Sequence, residues 1–192
     1  MKIKVGVFFG GKSVEHEVSV ISGIQALNAF DREKYEAIPI YITKENEMYT
    51  GEAIADIGNY KNIPELLKKS IRIFFICEQG RLNMVQYPEK KFGNSIVDHI
   101  DVAFPVVHGA NVEDGSLQGF LRHYNVPMAG CDVTPAAVSM DKYVMKTVLK
   151  DNDIPVLDCV TLHVIEYEED EEAAYRKVEH KIAYPVIVKP VN

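Results

Sequence analysis

Ile3 to Phe9 reads IKVGVFF and is closed by Gly10 and Gly11. A short apolar run ending on a glycine pair fits a buried parallel strand that enters a tight turn. Beyond it, Val18, Ile21, Ile24, Leu27 and Phe30 recur at intervals of three, a pattern that predicts a helix with these side chains on one buried face. Ala37 to Ile42 (AIPIYI) returns to strand character. Strand, glycine turn, helix and strand together make a right-handed βαβ unit of the Rossmann-like kind.

Outward from this unit, Thr43 to Asp98 is less regular. It holds a weak helix near Pro64 to Lys69, a strand in IRIFFIC, and a hairpin through Gln79-Gly80-Arg81 into LNMVQY. Its part in any function is not readable from sequence. Val102 to Val107 (VAFPVV) is another buried strand, followed by His108-Gly109 and by a helix from Gly115 to His123 carrying Leu117, Phe120 and Leu121. A second strand, glycine turn and helix is therefore present.

Near Val126 to Gly130 the pattern changes, and a domain boundary is expected close to Gly130, dividing the chain into residues 1–130 and 131–192. Thr134 to Asn152 reads as two linked helices, Leu157 to Val164 as a strand, Glu168 to Lys181 as a charged helix and Val186 to Lys189 as a strand. A segment of about sixty residues is small for an independent core, so it reads as the opening of a second domain. The acidic run Glu168 to Glu172 fits the solvated first turn of a helix better than a recognition patch.

At 192 residues, the length suits one domain or a domain and part of another. The net charge, 21 − 28 = −7, argues against nucleic acid or an anionic membrane as the main partner, since both need a concentrated positive surface. Cys77, Cys131 and Cys159 lie far apart, with no CxxC and no histidine at metal-ligand spacing, and read as buried free thiols of a reducing compartment. The N-terminus lacks the apolar run and cleavage site of a signal peptide, and no segment approaches the about eighteen apolar residues of a membrane span. A cytoplasmic protein is expected.

Gly6 to Ser13 (GVFFGGKS) matches the pattern of a nucleotide-hydrolase phosphate loop. The mechanics disagree, because Val7, Phe8 and Phe9 read as the strand itself, whereas such a loop must follow its strand and wrap phosphate with backbone N–H groups. Glu15 and Glu17 are more informative, lying where a glycine turn leads into a helix at the C-terminal edge of a sheet, the edge at which open α/β sheets bind ligands. A carboxylate there receives a substrate ammonium or serves as a helix cap, and spacing does not choose between them. His108 to Gly119 (HGANVEDGSLQG) forms a second strand-to-helix turn that can face the same ligand. Its Glu113 and Asp114 resemble a divalent-cation pair, although adjacent acids in a first helical turn usually serve capping. Lys142 begins a helix, and Lys189 follows the apolar Val186-Ile187-Val188, where a buried ammonium calls for a partner such as phosphate.

Four segments, FFGGKSVEHEVSVISG, HGANVEDGSLQG, AVSMDKYVMK and YPVIVKP, occur in the order and spacing seen in D-alanine:D-alanine ligases, which the chain resembles over nearly its whole length. The resemblance implies a Rossmann-like, parallel-sheet α/β domain followed by the beginning of an α+β ATP-grasp domain. It also implies a cytoplasmic homodimer that uses ATP and magnesium to join two D-alanines through an acyl phosphate. Matched by motif, Glu15 orients the ammonium of the first D-alanine, with Val18 and Ser19 beside it, His108 lies near that substrate, and Lys142 and Lys189 bind ATP phosphates. The magnesium carboxylates and the oxyanion arginine are expected beyond residue 192, so the chain by itself is expected to be inactive.

Two departures qualify the resemblance. Val112 stands where the family pattern has glycine, so a backbone geometry that favours glycine is expected to change there. The chain also lacks the glycine- and serine-rich loop that follows in the family. Related ligases with D-lactate or D-serine as acceptor, or a dimerisation module without catalysis, are the alternatives.

Overall fold

The computed structural model describes residues 2–78 and 81–191, so the tip of the expected hairpin, Gln79-Gly80, lies outside the described residues. The chain divides into two compact units, Met1–Met140 and Asp141–Asn192.

In the first unit, strand β1 (Ile3–Gly10) leads through a glycine turn into helix α1 (His16–Ala29), and strand β2 (Tyr35–Ile42) returns parallel to β1, Ile3 opposite Tyr35 and Gly10 opposite Ile42. The segment from Thr43 onward supplies a short strand β3 (Met48–Thr50), helix α2 (Ile63–Lys68), and strands β4 (Ile71–Glu78), β5 (Arg81–Gln86) and β6 (Ile96–Ile100). Strand β7 (Val102–Pro105) then pairs parallel with the other side of β1 and is followed by helices α3 (Ser116–His123) and α4 (Val133–Met140). The sheet order is β6-β5-β4-β3-β2-β1-β7. Its parallel part is β2-β1-β7, and the region that carried no sequence motif extends it as antiparallel β3 to β6.

Strand β1 carries no polar side chain from Val5 onward because both of its faces are covered there. Val5, Val7 and Phe9 pack with Val20, Ile24 and Leu27 of α1, with Tyr41, and with Ile54 and Leu66 from the following segments. Phe8 points to the opposite layer, with Ile40, Phe75, Leu82, Met84, Val112, Leu117 and Leu121.

The expected buried stripe of α1 requires correction. Ile24 and Leu27 are buried, but Val18 and Ile21 are 51% and 50% exposed, and the inward face is instead His16, Val20, Gly23, Ile24 and Leu27. A spacing of three falls about 60° short of a full helical turn at each step, so by Leu27 the stripe has moved to the side opposite Val18. Gly23 lets the helix lie directly on Phe9, whose ring occupies the place of a side chain at that position.

Helix α4 belongs to the first compact unit, which therefore continues past Gly130 to Met140. Gly115, at φ 97°, leaves room for the start of α4, since a Cβ there would lie 3.0 Å from the Val133 carbonyl oxygen.

The second unit contains helices α5 (Lys142–Asp151), α6 (Val164–Glu169) and α7 (Glu171–Glu179). The single charged helix expected over Glu168 to Lys181 is broken at Asp170, which is extended and caps α7 by accepting from the Ala173 N–H at 2.8 Å. Leu157 to Val164 and Val186 to Lys189, expected as strands, form no strand among the described residues. A strand exists through its ladder, and no extended segment of this unit pairs with either. Nor is the second run buried as expected, Ile187 and Val188 being 81% and 92% exposed. The cysteines, expected to be buried, are free but exposed at Cys77 and Cys131 and only half-buried at Cys159.

Candidate functional site

Because β1 and β7 are parallel neighbours, their C-terminal ends open on one sheet edge, where crevices between parallel strands bind ligands. The turns that follow, Gly11 to Glu15 and His108 to Gly115, are clasped together. Asn111 Nδ2 donates to the Lys12 carbonyl at 3.0 Å, Val112 lies over Gly11, and Gly109 lies against Ser13 and Glu15. Gly109 has φ 86°, and a Cβ there would meet the Ser13 hydroxyl and stand 2.9 Å from Glu15 Oε2, so glycine suits the position where the carboxylate lies against this backbone.

The sequence left Glu15 and Glu17 open as the ligand carboxylate, and the structure separates them. Glu17 pairs with Lys44 at 2.6 Å, and this hydrogen bond, with its own backbone contact, holds the Glu17 carboxyl below its usual value. Glu15 sits immediately before α1 and makes no side-chain cap bond. Its carboxylate is exposed and has no hydrogen-bond or ion-pair partner among the described residues. The amide dipoles at the head of α1 favour negative charge there.

Ser19 corrects its expected place beside the substrate. It is wholly buried, its hydroxyl accepting from the Gly10 N–H at 2.8 Å and donating to the Val106 carbonyl at 2.7 Å. It thereby ties the ends of β1 and β7 together and is spent on that bond pair. Val18, one position earlier, faces outward and is half exposed. His108 is half-buried, with Nε2 3.1 Å from the Ser22 hydroxyl on α1, which orients its imidazole across the helix.

Glu113 and Asp114 are committed to the loop. Glu113 Oε2 accepts from the Gly109 N–H at 2.9 Å, while the Glu113 N–H donates to the Gly109 carbonyl at 2.9 Å. Asp114 accepts from the N–H groups of Asn111 at 2.7 Å and Ser116 at 3.0 Å. Burial alone would raise the Asp114 pKa, but the Ser116 and Asn111 hydrogen bonds outweigh it and the net direction is down. Val112 does not have positive φ; the left-handed conformation of this turn falls on Asn111, at 68°, a residue type that tolerates it. Val112 is free to turn into the core, where it is 3% exposed.

Gly6 to Gly10 of the phosphate-loop pattern is strand, with Val7, Phe8 and Phe9 wholly buried, so that match has no cradle. No group of three or more His, Cys, Asp or Glu side chains stands together as a metal site among the described residues. Sequence reading missed His16, which is 4% exposed and set between the Gly11 carbonyl at 2.7 Å and the Tyr41 hydroxyl at 3.0 Å. Nothing in the local sequence signals those partners.

In the second unit, Lys142 is the first residue of α5, behind the cap Asp141, whose carboxylate accepts from the N–H groups of Tyr143 at 3.0 Å and Val144 at 2.8 Å. The Lys142 N–H donates to the Val191 carbonyl at 3.0 Å, so the segment bearing Lys189 passes the head of this helix. Lys189 itself is exposed.

Residues 4–131 match the family described as D-ala D-ala ligase N-terminus. The chain is 39% identical over 191 residues to the D-alanine–D-alanine ligase of Thermosipho melanesiensis, covering 99% of this chain and 50% of that protein. Among solved structures, the D-alanine–D-alanine ligase of Helicobacter pylori superposes with a TM-score of 0.79 at 26% identity, over 99% of this chain and 53% of the other. The VanG D-Ala:D-Ser ligase of Enterococcus faecalis superposes with a TM-score of 0.74 at 30% identity, over 100% and 52%. The chain spans about half the length of the relatives it matches.

Proposed function

The chain belongs to the D-alanine–D-alanine ligase family, as its N-terminal portion, and from that premise we propose that it serves the ATP-dependent joining of two D-alanines for the peptidoglycan precursor. The observation that carries this reading is the unpaired Glu15 carboxylate at the head of α1, held against Gly109 where two parallel-strand turns meet. An acceptor-only group in that place suits an ammonium. Glu15 binds the ammonium of the first D-alanine, Val18 offers apolar surface beside it, and His108 donates a hydrogen bond to the substrate carboxylate. Ser19 acts at one remove, by holding Gly10 and Val106 in register.

A carboxylate is a poor acyl donor until it carries a leaving group. With the phosphates of ATP held by Lys142 and Lys189, the carboxylate oxygen of the first D-alanine takes the terminal phosphoryl group, the bond to the β-phosphate breaks and ADP leaves, which gives the acyl phosphate. The amine of the second D-alanine then forms the new C–N bond, loses a proton, and expels inorganic phosphate. Holding two anionic reactants together is the binding problem that Glu15 and His108 address from this half. Glu113 and Asp114 do not fit a magnesium site, because backbone N–H groups occupy them, and no step here runs through that ion. The working enzyme is assigned to the cytoplasm as a homodimer. No helix of the described residues is long and apolar enough to cross a membrane.

A D-serine acceptor is the second reading, favoured by the Enterococcus faecalis neighbour at 30% identity. The test is phosphate release from ATP by the chain carried to the full length of its relatives, with D-alanine alone and then with D-serine or D-lactate as acceptor. D-alanine alone is expected to support turnover, and Glu15→Gln to lower kcat/KM for D-alanine about ten- to a hundred-fold through loss of a charge-assisted bond. Release that no D-amino or D-hydroxy acid stimulates would end the ligase reading.

A further inference from the structure

His16 is a buried titratable side chain that the proposed reaction does not use. A carbonyl oxygen only accepts, so Nδ1, 2.7 Å from the Gly11 oxygen, carries the proton and donates it. The Tyr41 phenol, 2% exposed and pushed up to about 12 by burial, keeps its proton at neutral pH. Its oxygen lies 3.0 Å from Nε2, on the far side of the ring from Gly11. The imidazole is held between the glycine turn and strand β2.

That placement bears on Glu15 through the backbone. Gly10 and Gly11 both have positive φ, 91° and 95°, so the turn is a conformation few other residues support. The peptide group on each side of Gly11 is tethered. The Gly11 N–H donates to the Ile42 carbonyl at 2.7 Å, and the Gly11 carbonyl accepts from His16 Nδ1 at 2.7 Å and from the Ser13 N–H at 3.0 Å. Between Gly11 and His16 lie only Lys12, Ser13, Val14 and Glu15. The Glu15 N–H donates to the Ser13 hydroxyl at 3.1 Å and its carbonyl accepts from the Ser19 N–H at 3.0 Å, so the course of this turn into α1 decides where the Glu15 side chain starts toward Gly109.

We propose that His16 is a positioning residue for substrate binding, fixing the Gly11 carbonyl so that the Glu15 carboxylate meets the ammonium of the first D-alanine. This inference rests on the reading of Glu15 given above. A carboxylate displaced by about 1 Å costs up to about a hundred-fold in a reaction that depends on alignment, whereas the lysines of the second unit are left unchanged. The signature is a change in KM for D-alanine with KM for ATP preserved.

The experiment compares three variants in the chain carried to the full length of its relatives, each measured for KM of D-alanine, KM of ATP, kcat and thermal midpoint. His16→Phe keeps a ring and loses both bonds. His16→Asn places an amide nitrogen where Nδ1 stands and keeps the donor to Gly11. His16→Gln reaches toward Tyr41 and loses that donor. His16→Phe and His16→Gln are expected to raise KM for D-alanine about ten- to a hundred-fold, with KM for ATP within about twofold, and His16→Asn to restore most of the loss. Should His16→Phe fail to fold, the Asn and Gln pair decides, and equal KM for D-alanine in those two overturns the proposal. A lowered thermal midpoint with KM for D-alanine unchanged also overturns it. Glu15→Gln, run in parallel, separates the two levels: if it leaves KM for D-alanine and kcat untouched, the reading of Glu15 fails. If it impairs turnover while the His16 variants do not, only the positioning role fails.

Discussion

Val112 lies over Gly11, its Cγ1 in the space that a side chain at position 11 would fill. The two residues belong to different turns, one after β1 and one after β7, and their contact is the apolar part of the clasp that brings Glu15 against Gly109. Gly11→Ala meets two penalties, the positive φ of 95° and the Val112 methyl group. It is expected to destabilise the chain by about 2–4 kcal/mol in urea unfolding. Val112→Ala alone costs about 2 kcal/mol by emptying a buried site. The pair is expected to cost less than the sum of the singles, since Val112→Ala removes the clash, and strict additivity would show that the contact is not tight.

Gly23→Ala sets two known effects against one another. In a helix interior alanine gains about 1 kcal/mol over glycine. Here a Cβ would strike the ring and Cβ of Phe9, which is wholly buried and has no room to swing. Overpacking of this kind costs about 1–3 kcal/mol, so a net loss is expected. Phe9→Ala, which removes the Cγ and ring atoms nearest the added Cβ, should make the same substitution less costly, and a Gly23→Ala variant with a raised urea midpoint would show that α1 lifts freely from the sheet.

Asp114 makes the second turn acid-sensitive. Its folded pKa lies below the ordinary value of 3.8, because the Ser116 and Asn111 hydrogen bonds outweigh burial. A depressed carboxylate contributes stability that is complete above the unfolded value and is lost as pH falls through the folded one. Asp114→Asn is expected to cost about 1 kcal/mol at neutral pH, and the gap to the unmodified chain should close as pH drops below 3.8. A gap that is constant from neutral to acid pH would mean the carboxylate charge does not hold the loop.

What the sequence disclosed follows from how local each signal is. The βαβ unit was legible because Ile3 to Phe9 and Ala37 to Ile42 are apolar on both faces and the glycine pair marks the turn. Strands β3 and β6 were not, since Met48–Thr50 is three residues long and Ile96–Ile100 is interrupted by Asp98 and His99. Their place depends on ladders to distant residues. At the site, the glycine turns, the Glu15 and Glu17 pair, His108, Lys142 and Lys189 stand out from their places in the sequence, and the resemblance gave them roles. The pairing of Glu17 with Lys44, the burial of Ser19 and the bonds of His16 to Gly11 and Tyr41 are tertiary facts. They leave no trace in a window of neighbouring residues. The run before Lys189 is apolar yet exposed, since burial needs a covering layer and composition alone does not supply one.

Lys4 closes the sheet at the end opposite the site. Only Asp101 separates β6 from β7, although these are the two edges of the sheet order, so the chain must join the edges at that residue. The Lys4 N–H donates to Asp101 Oδ2 at 2.8 Å, while its ammonium bonds Asp98 on β6 and lies 3.9 Å from Glu36 on β2. The hydrogen bond to Asp98 raises the Lys4 pKa above 10.5 against the opposing effect of burial, and the charges of Asp98, Glu36 and Asp101 add to it. A raised lysine contributes stability that is complete below the unfolded value and is lost as pH rises through the folded one. A double-mutant cycle of Lys4→Met and Asp98→Asn at neutral pH is expected to return a coupling of about 1 kcal/mol. The stabilisation removed by Lys4→Met should start to fall only above pH 10.5. If it falls instead between neutrality and that pH, the ammonium is not the group that joins the edges, and the backbone bond to Asp101 carries the closure alone.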